Sequence, residues 1–278
     1  ERISLVTDLG RGAELPRALT SRGGIHVLRS EYQAALESFD KAEAAARRVG
    51  DRRTVAYLQG SRGLVYLHLN RLDDARACFE LTEREALEMG DARLRSHAVG
   101  NLGLVYFEEG DLDRAEDHYN RHISICSEIG EVVGAATAMS NVGEIYEVRG
   151  DFERALDNYA IGAREMMRVN SYAALTFPLE ASARILIDHP ELCDIDFPWP
   201  ERVDDAPLSD DTSVRGLQRA RDLASEALRH ATSIGMKDTR VIIPIIMARI
   251  EHASGNQPGA IDGLRMLLNV AQTDDERA

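Results

Sequence analysis

Small and apolar residues return along this chain in columns forty positions apart. Gly23, Gly63, Gly103 and Gly143 form one column, with His26, Tyr66, Tyr106 and Tyr146 three residues after them. Ala35, Ala75, Ala115 and Ala155 stand twelve after the glycines, and Phe39, Phe79, Tyr119 and Tyr159 sixteen after. A fixed period of this length is the signature of a repeat architecture. Spacings of three and four put the glycine and the first aromatic on one helical face, and the alanine and second aromatic on a face of a second helix. The glycine lets the two helices approach, and the aromatics fill the space between them.

Polar punctuation separates the helices. Ser30, Asn70, Gly110 and Gly150 divide each unit, and Gly50, Gly90, Gly130 and Asn170 close it. Gly and Asn tolerate the left-handed conformation that ends a helix. Asp111 and Asp151 follow as N-caps, with Asp51, Asp91 and Glu131 placed after the second turn. Each unit is therefore expected to be a helical hairpin, and the chain all-α.

After Asn170 the period is recovered with one insertion. Ala220 and Ala260 continue the alanine column, while Ala224 and Leu264 stand where its second aromatic was. Ala183 and Ala248 take the glycine column sixty-five residues apart, one period plus twenty-five. A fifth unit is predicted with helices near Tyr172–Ile187 and Val214–Ile234. The extra residues, HPELCDIDFPWPERVDDAPLSDDT, hold four prolines and the single tryptophan, Trp199. Proline opposes helix and sheet interior, so an extended acidic loop is expected over 189–213. It either packs its FPWP stretch on a neighbouring hairpin or offers Phe197 and Trp199 to a partner.

The spacing resembles the tetratricopeptide repeat: small residue, aromatic three on, alanine twelve on, aromatic sixteen on. The forty-residue length is similar to that in the Pins/LGN cell-polarity scaffolds, kinesin light chains and bacterial regulators. The resemblance implies a right-handed superhelical solenoid of antiparallel hairpins with about six repeats. A single array over 1–278 is expected, with repeats near 11–50, 51–90, 91–130, 131–170, 171–235 (carrying the insert) and 236–278. Leu9-Gly10 precedes Val49-Gly50 by one period, so 1–10 reads as the tail of a preceding helix. That phase and the initial Glu1 suggest a piece of a longer protein.

Charge narrows the partners. The formal net charge is −14, which argues against nucleic acid, since phosphates would be repelled. Asp188–Asp211 holds nine acidic residues against Arg202 alone. The densest apolar run, Val241–Met247, is far too short to span a bilayer. Three cysteines, Cys78, Cys126 and Cys193, without a CxxC pair fit a reducing, cytoplasmic setting.

Chemistry is sparse. His118, His122 and Cys126 recur at intervals of four on one helix and could offer two nitrogens and a sulfur to zinc. His122, however, falls in a column that packs on the next helix, and no fourth ligand is apparent. Asp194-Ile-Asp196 resembles the start of a calcium loop but lacks its glycine and closing glutamate, and reads as solvated charge. No phosphate-binding, dinucleotide or hydrolase motif is present. No cofactor and no catalysis are expected.

What remains is binding. In relatives of the fold the first helix of each hairpin lines a concave face. The position two before each glycine, which there reaches a bound peptide, holds Ser21, Ser61, Asn101 and Asn141. Asn both donates and accepts, which suits an extended backbone. Arg17, Tyr57 and His97 lie four before those positions; Leu64, Leu104, Glu144 and Arg184 lie one past the glycine column; Phe107, Glu108 and Glu147 extend the surface. The alternative is that both asparagines only bond neighbouring helices. The implied function is a protein- or peptide-binding regulatory or adaptor module of bacterial style, its effector domain elsewhere. The implied partner is a segment with an apolar anchor and a basic flank. The competing readings are a ligand-responsive sensor that changes curvature and, behind it, a metal-dependent enzyme.

Overall fold

The computed structural model of the protein describes residues 14–200, 207–235 and 237–262. Among them are the eleven α-helices given below, a further helical stretch at 257–262, one 3-10 helix and no β-strand. The tail expected over 1–10 lies outside the described residues. Backbone contacts group the chain into two compact units, Glu1–Gly130 and Glu131–Ala278.

The first unit holds α1 (Glu14–Leu28), α2 (Tyr32–Arg48), α3 (Arg52–His68), α4 (Leu72–Met89), α5 (Ala92–Glu108) and α6 (Leu112–Ile129). The second holds α7 (Val132–Val148), α8 (Phe152–Arg168), α9 (Tyr172–Asp188), α10 (Thr212–Ile234) and α11 (Lys237–Ala253). In each unit consecutive helices pack as hairpins, and the leading helices also touch: α1 on α3, α3 on α5, and α7 on α9, α9 on α11. The leading helices thus form one layer of each unit.

The repeat columns explain the packing. A Cβ on Gly103 would stand 2.7 Å from the Tyr119 ring, and one on Gly143 would stand 2.9 Å from the Tyr159 ring. Only a residue without a side chain lets these helices close on the ring. The alanine column is fully buried at Ala35, Ala75, Ala115 and Ala155.

The turns follow the polar punctuation. Ser30, Asn70 and Asn170 take positive φ of 59°, 55° and 55°, a conformation that costs little for Asn and is strained for Ser. The backbone N–H of Arg71, Asp111 and Asp151 donates to the carbonyl of Tyr66, Tyr106 and Tyr146 at 2.8, 2.9 and 2.9 Å. The first aromatic column therefore supplies the acceptor that closes each turn. An arginine then lies on each ring: Arg71 4.6 Å from the Tyr66 centroid, Arg114 4.5 Å from Tyr106, Arg154 4.6 Å from Tyr146. Asp51, Asp91, Asp111 and Asp151 accept from the N–H three residues on, as expected of caps. Glu131, one methylene longer, makes no such bond.

The insert is less extended than its composition suggests, and its FPWP stretch follows the packing alternative. It opens with a 3-10 helix, Pro190–Asp194, seated on α10 so closely that a Cβ on Gly216 would lie 2.3 Å from the Pro190 carbonyl oxygen. Phe197 is 4% exposed and joins the core of the second unit with Cys193, Leu186 and Leu223. Arg219 covers the Trp199 ring at 4.3 Å. Three carboxylates of the acidic stretch are paired: Asp194 with Arg215 at 2.8 Å, Asp196 with Arg164 at 3.2 Å, Asp188 with Arg249 at 2.8 Å. Hydrogen bonds from Arg215 hold the Asp194 carboxyl below its ordinary range.

Candidate partner-binding face

In the first unit the leading-helix layer contains a cavity of about 190 Å³. Tyr57, Ser61 and Leu64 on α3 form one side, and His97, Ala98 and Asn101 on α5 the other. Phe79 and Thr82 of α4, behind the layer, make the floor with Leu94. Five residues singled out from spacing, Tyr57, Ser61, Leu64, His97 and Asn101, thus converge on one opening. Tyr57 remains 54% exposed and Leu64 41%, so the rim carries large apolar surface that no other part of the unit covers.

The rim polar groups differ in availability. The Ser61 hydroxyl donates to the Tyr57 carbonyl at 3.1 Å, and that of Ser21 to the Arg17 carbonyl at 3.0 Å. Their own helices satisfy them, which is the usual behaviour of helical serine. Asn101 and Asn141 are half-buried, and among the described residues neither carboxamide has a hydrogen-bond partner. Arg17, Ser21 and Glu108 are exposed on α1 and α5, Leu104 is partly exposed, and Phe107 is half-buried.

In the second unit the expected acidic patch is different. Arg184 of α9 donates to both Glu147 oxygens of α7, Nη2 to Oε1 at 2.8 Å and to Oε2 at 3.0 Å. The Tyr159 hydroxyl donates to Oε2 at 2.9 Å. Burial, then the Glu147 charge, pushes the Tyr159 phenol far up. Burial likewise raises Glu180, which lies 3.8 Å from Arg184. Glu147 and Arg184 therefore serve each other, and the patch is largely neutralised. Glu144 is half-buried beside them. Phe197, withdrawn into the core, is not presented to a partner, while Trp199 is half-buried beneath Arg219.

The His118, His122 and Cys126 series does not converge. His118 Nδ1 lies 2.9 Å from the Arg114 carbonyl and its ring packs on Tyr106 with centroids 4.8 Å apart. Cys126 Sγ is buried 3.1 Å from Ser96 Oγ. The His122 ring fills the space beside Gly100, where a Cβ would stand 2.6 Å from its Nδ1. Burial, and to a lesser degree His97, lowers the His122 pKa from 6.5 to about 4. Among the described residues no group of three His, Cys, Asp or Glu side chains is placed to hold a metal. None of the helices there is long and apolar enough to cross a membrane.

Sequence inspection found the rim but not the cavity. Its cause is the pairing of Gly60 with Thr82, two small residues on different helices, where the next repeat sets His122 against Gly100.

Residues 94–160 match the family model described as tetratricopeptide repeat. No curated protein matches the sequence. Among solved structures the chain is similar to BtubC (BKLC) from P. vanneervenii, with a TM-score of 0.66 and 16% identity over 89% of this chain and 92% of that one. It is similar to a Rap protein complexed with competence and sporulation factor, with a TM-score of 0.60 and 13% identity over 94% and 75%. The signal transduction ATPase PH0952 from Pyrococcus horikoshii, which has a tetratricopeptide repeat sensor, gives a TM-score of 0.64 and 15% identity over 99% of this chain and 42% of that one. With the forty-residue columns and the hairpin architecture, residues 94–160 match the tetratricopeptide repeat and the chain shares the fold of these helical-repeat structures.

Proposed function

We propose that this chain is a non-catalytic binding module that captures an extended peptide segment on the leading-helix face of its first unit. The observation that carries this reading is the unpartnered carboxamide of Asn101 at the rim of the α3–α5 cavity. A half-buried amide that no protein group satisfies is suited to bond a peptide backbone, one donor and one acceptor at a time. The exposed Tyr57, Leu64 and Leu104 alongside supply apolar contact area. The similar Rap protein is complexed with competence and sporulation factor, which supports the same use of the fold here. We propose with it a regulatory or adaptor role.

The test begins with a display library of random dodecapeptides panned against the purified chain. Enriched peptides are then titrated calorimetrically against wild type and Asn101→Ala. Loss of one backbone-directed amide should weaken binding by about 1–2 kcal/mol, roughly five- to thirtyfold, with the circular dichroism spectrum unchanged. Equal affinity for the two proteins would remove Asn101 from the site.

A further inference from the structure

The cavity beside Asn101 is more selective than a groove. We infer that it is a specificity pocket for one uncharged aliphatic side chain of the bound segment, created by Gly60. This inference rests on the peptide-binding reading above and names the residue class it selects.

Three observations carry it. The first is size. Cavities of about 150 Å³ lined by apolar side chains accommodate a benzene-sized molecule; this one measures about 190 Å³, room for one side chain and not for two. The second is charge. No Asp, Glu, Lys or Arg lines the cavity, in a chain whose formal charge is −14. A lysine or arginine placed there would leave its ion unpaired, which is costly in a partly dehydrated site. The Thr82 hydroxyl in the floor already donates to the Cys78 carbonyl at 2.8 Å, so the floor offers no free donor from that group. The basic flank expected from the sequence therefore belongs outside this pocket.

The third observation is the origin of the space. One period later the equivalent of Gly60 is Gly100, and the His122 ring fills its surroundings. At Gly60 the facing residue is Thr82, and a Cβ there would meet Thr82 at an ordinary 3.6 Å. The space beside Gly60 is consequently open by sequence choice, and a methyl group can be added there without strain. Exposed apolar surface at the rim (Tyr57, Leu64) supplies the driving force for an aliphatic occupant, and Phe79, Leu94 and Ala98 line the space below it.

Filling the pocket tests the inference. Gly60→Leu places a side chain in the cavity, and Gly60→Ala narrows it while favouring helix. Both variants should fold, with the thermal midpoint of Gly60→Ala at or above wild type. Peptides enriched on wild type should share one Leu, Ile, Met or Val position. Binding should fall at least about tenfold in Gly60→Leu, and panning against Gly60→Ala should shift that position to smaller residues. A consensus without an aliphatic position, or one that Gly60→Leu retains, overturns the pocket and leaves the peptide-binding reading standing. Failure to enrich any peptide on folded wild-type protein overturns both.

Discussion

His122 shows how one side chain can fill a structural gap and carry a cost in acid. Its ring occupies the space that Gly100 leaves, and its Nδ1 is buried without a hydrogen-bond partner. A neutral imidazole tolerates this; an imidazolium does not. With the folded pKa lowered to about 4 from 6.5, the unfolded chain binds the proton more readily. Stability from this group is intact above pH 6.5 and declines as the pH falls toward 4. Between pH 7.5 and 5 the loss should be about 2 kcal/mol, read from urea melts of the first unit's helices. His122→Asn, which cannot titrate, should flatten that part of the pH dependence even if it is less stable throughout. An unchanged slope would mean that the ring is solvated. The residue's column was readable from the sequence as a packing position. Its dehydration was not, because that depends on the absence of a side chain at Gly100, on another helix.

At the scale of the hairpin, what the sequence revealed was whatever repeats. The glycine, alanine and aromatic columns reported both helices and the contact between them, since each column fills the same space in every copy. The arginine on each tyrosine was hidden by irregular spacing: Arg71 stands five residues after Tyr66, but Arg114 stands eight after Tyr106. The Glu147–Arg184 pair was hidden for another reason. Both were assigned to the surface by their columns, and only the geometry shows them facing each other. The insert had no second copy to compare, and its proline and acid content describes a solvated loop equally well. Its anchor is Phe197, and this gives a discriminating measurement. Phe197→Ala should destabilise the second unit by about 3–5 kcal/mol, as for a core phenylalanine. A peripheral loop would lose less than about 0.5 kcal/mol. The denaturation midpoint of the purified protein separates the two, and a shift in the smaller range would place the ring outside the core.

Within each unit, every hairpin packs its two helices on each other and stacks on its neighbours in sequence. Within the first unit, ion pairs join adjacent hairpins, Arg53 to Asp91 at 2.6 Å and Arg76 to Glu109 at 2.8 Å. Exposed pairs of this kind add little energy each; they fix register, while buried alanine and aromatic columns supply most of the stability. In such a quasi-one-dimensional array stability is a sum of local terms, and damage stays local. Gly103→Val makes this testable, because its Cβ would stand 2.7 Å from the Tyr119 ring, which is 2% exposed and has little room to move. Overpacking there should cost about 1–3 kcal/mol. Amide hydrogen exchange in α5 and α6 should then accelerate by roughly ten- to a hundredfold, while protected amides of α8 and α10 keep their wild-type rates. Equal acceleration in all four helices would make the molecule a single cooperative unit, because strain confined to one helix contact can reach α8 and α10 only through global unfolding.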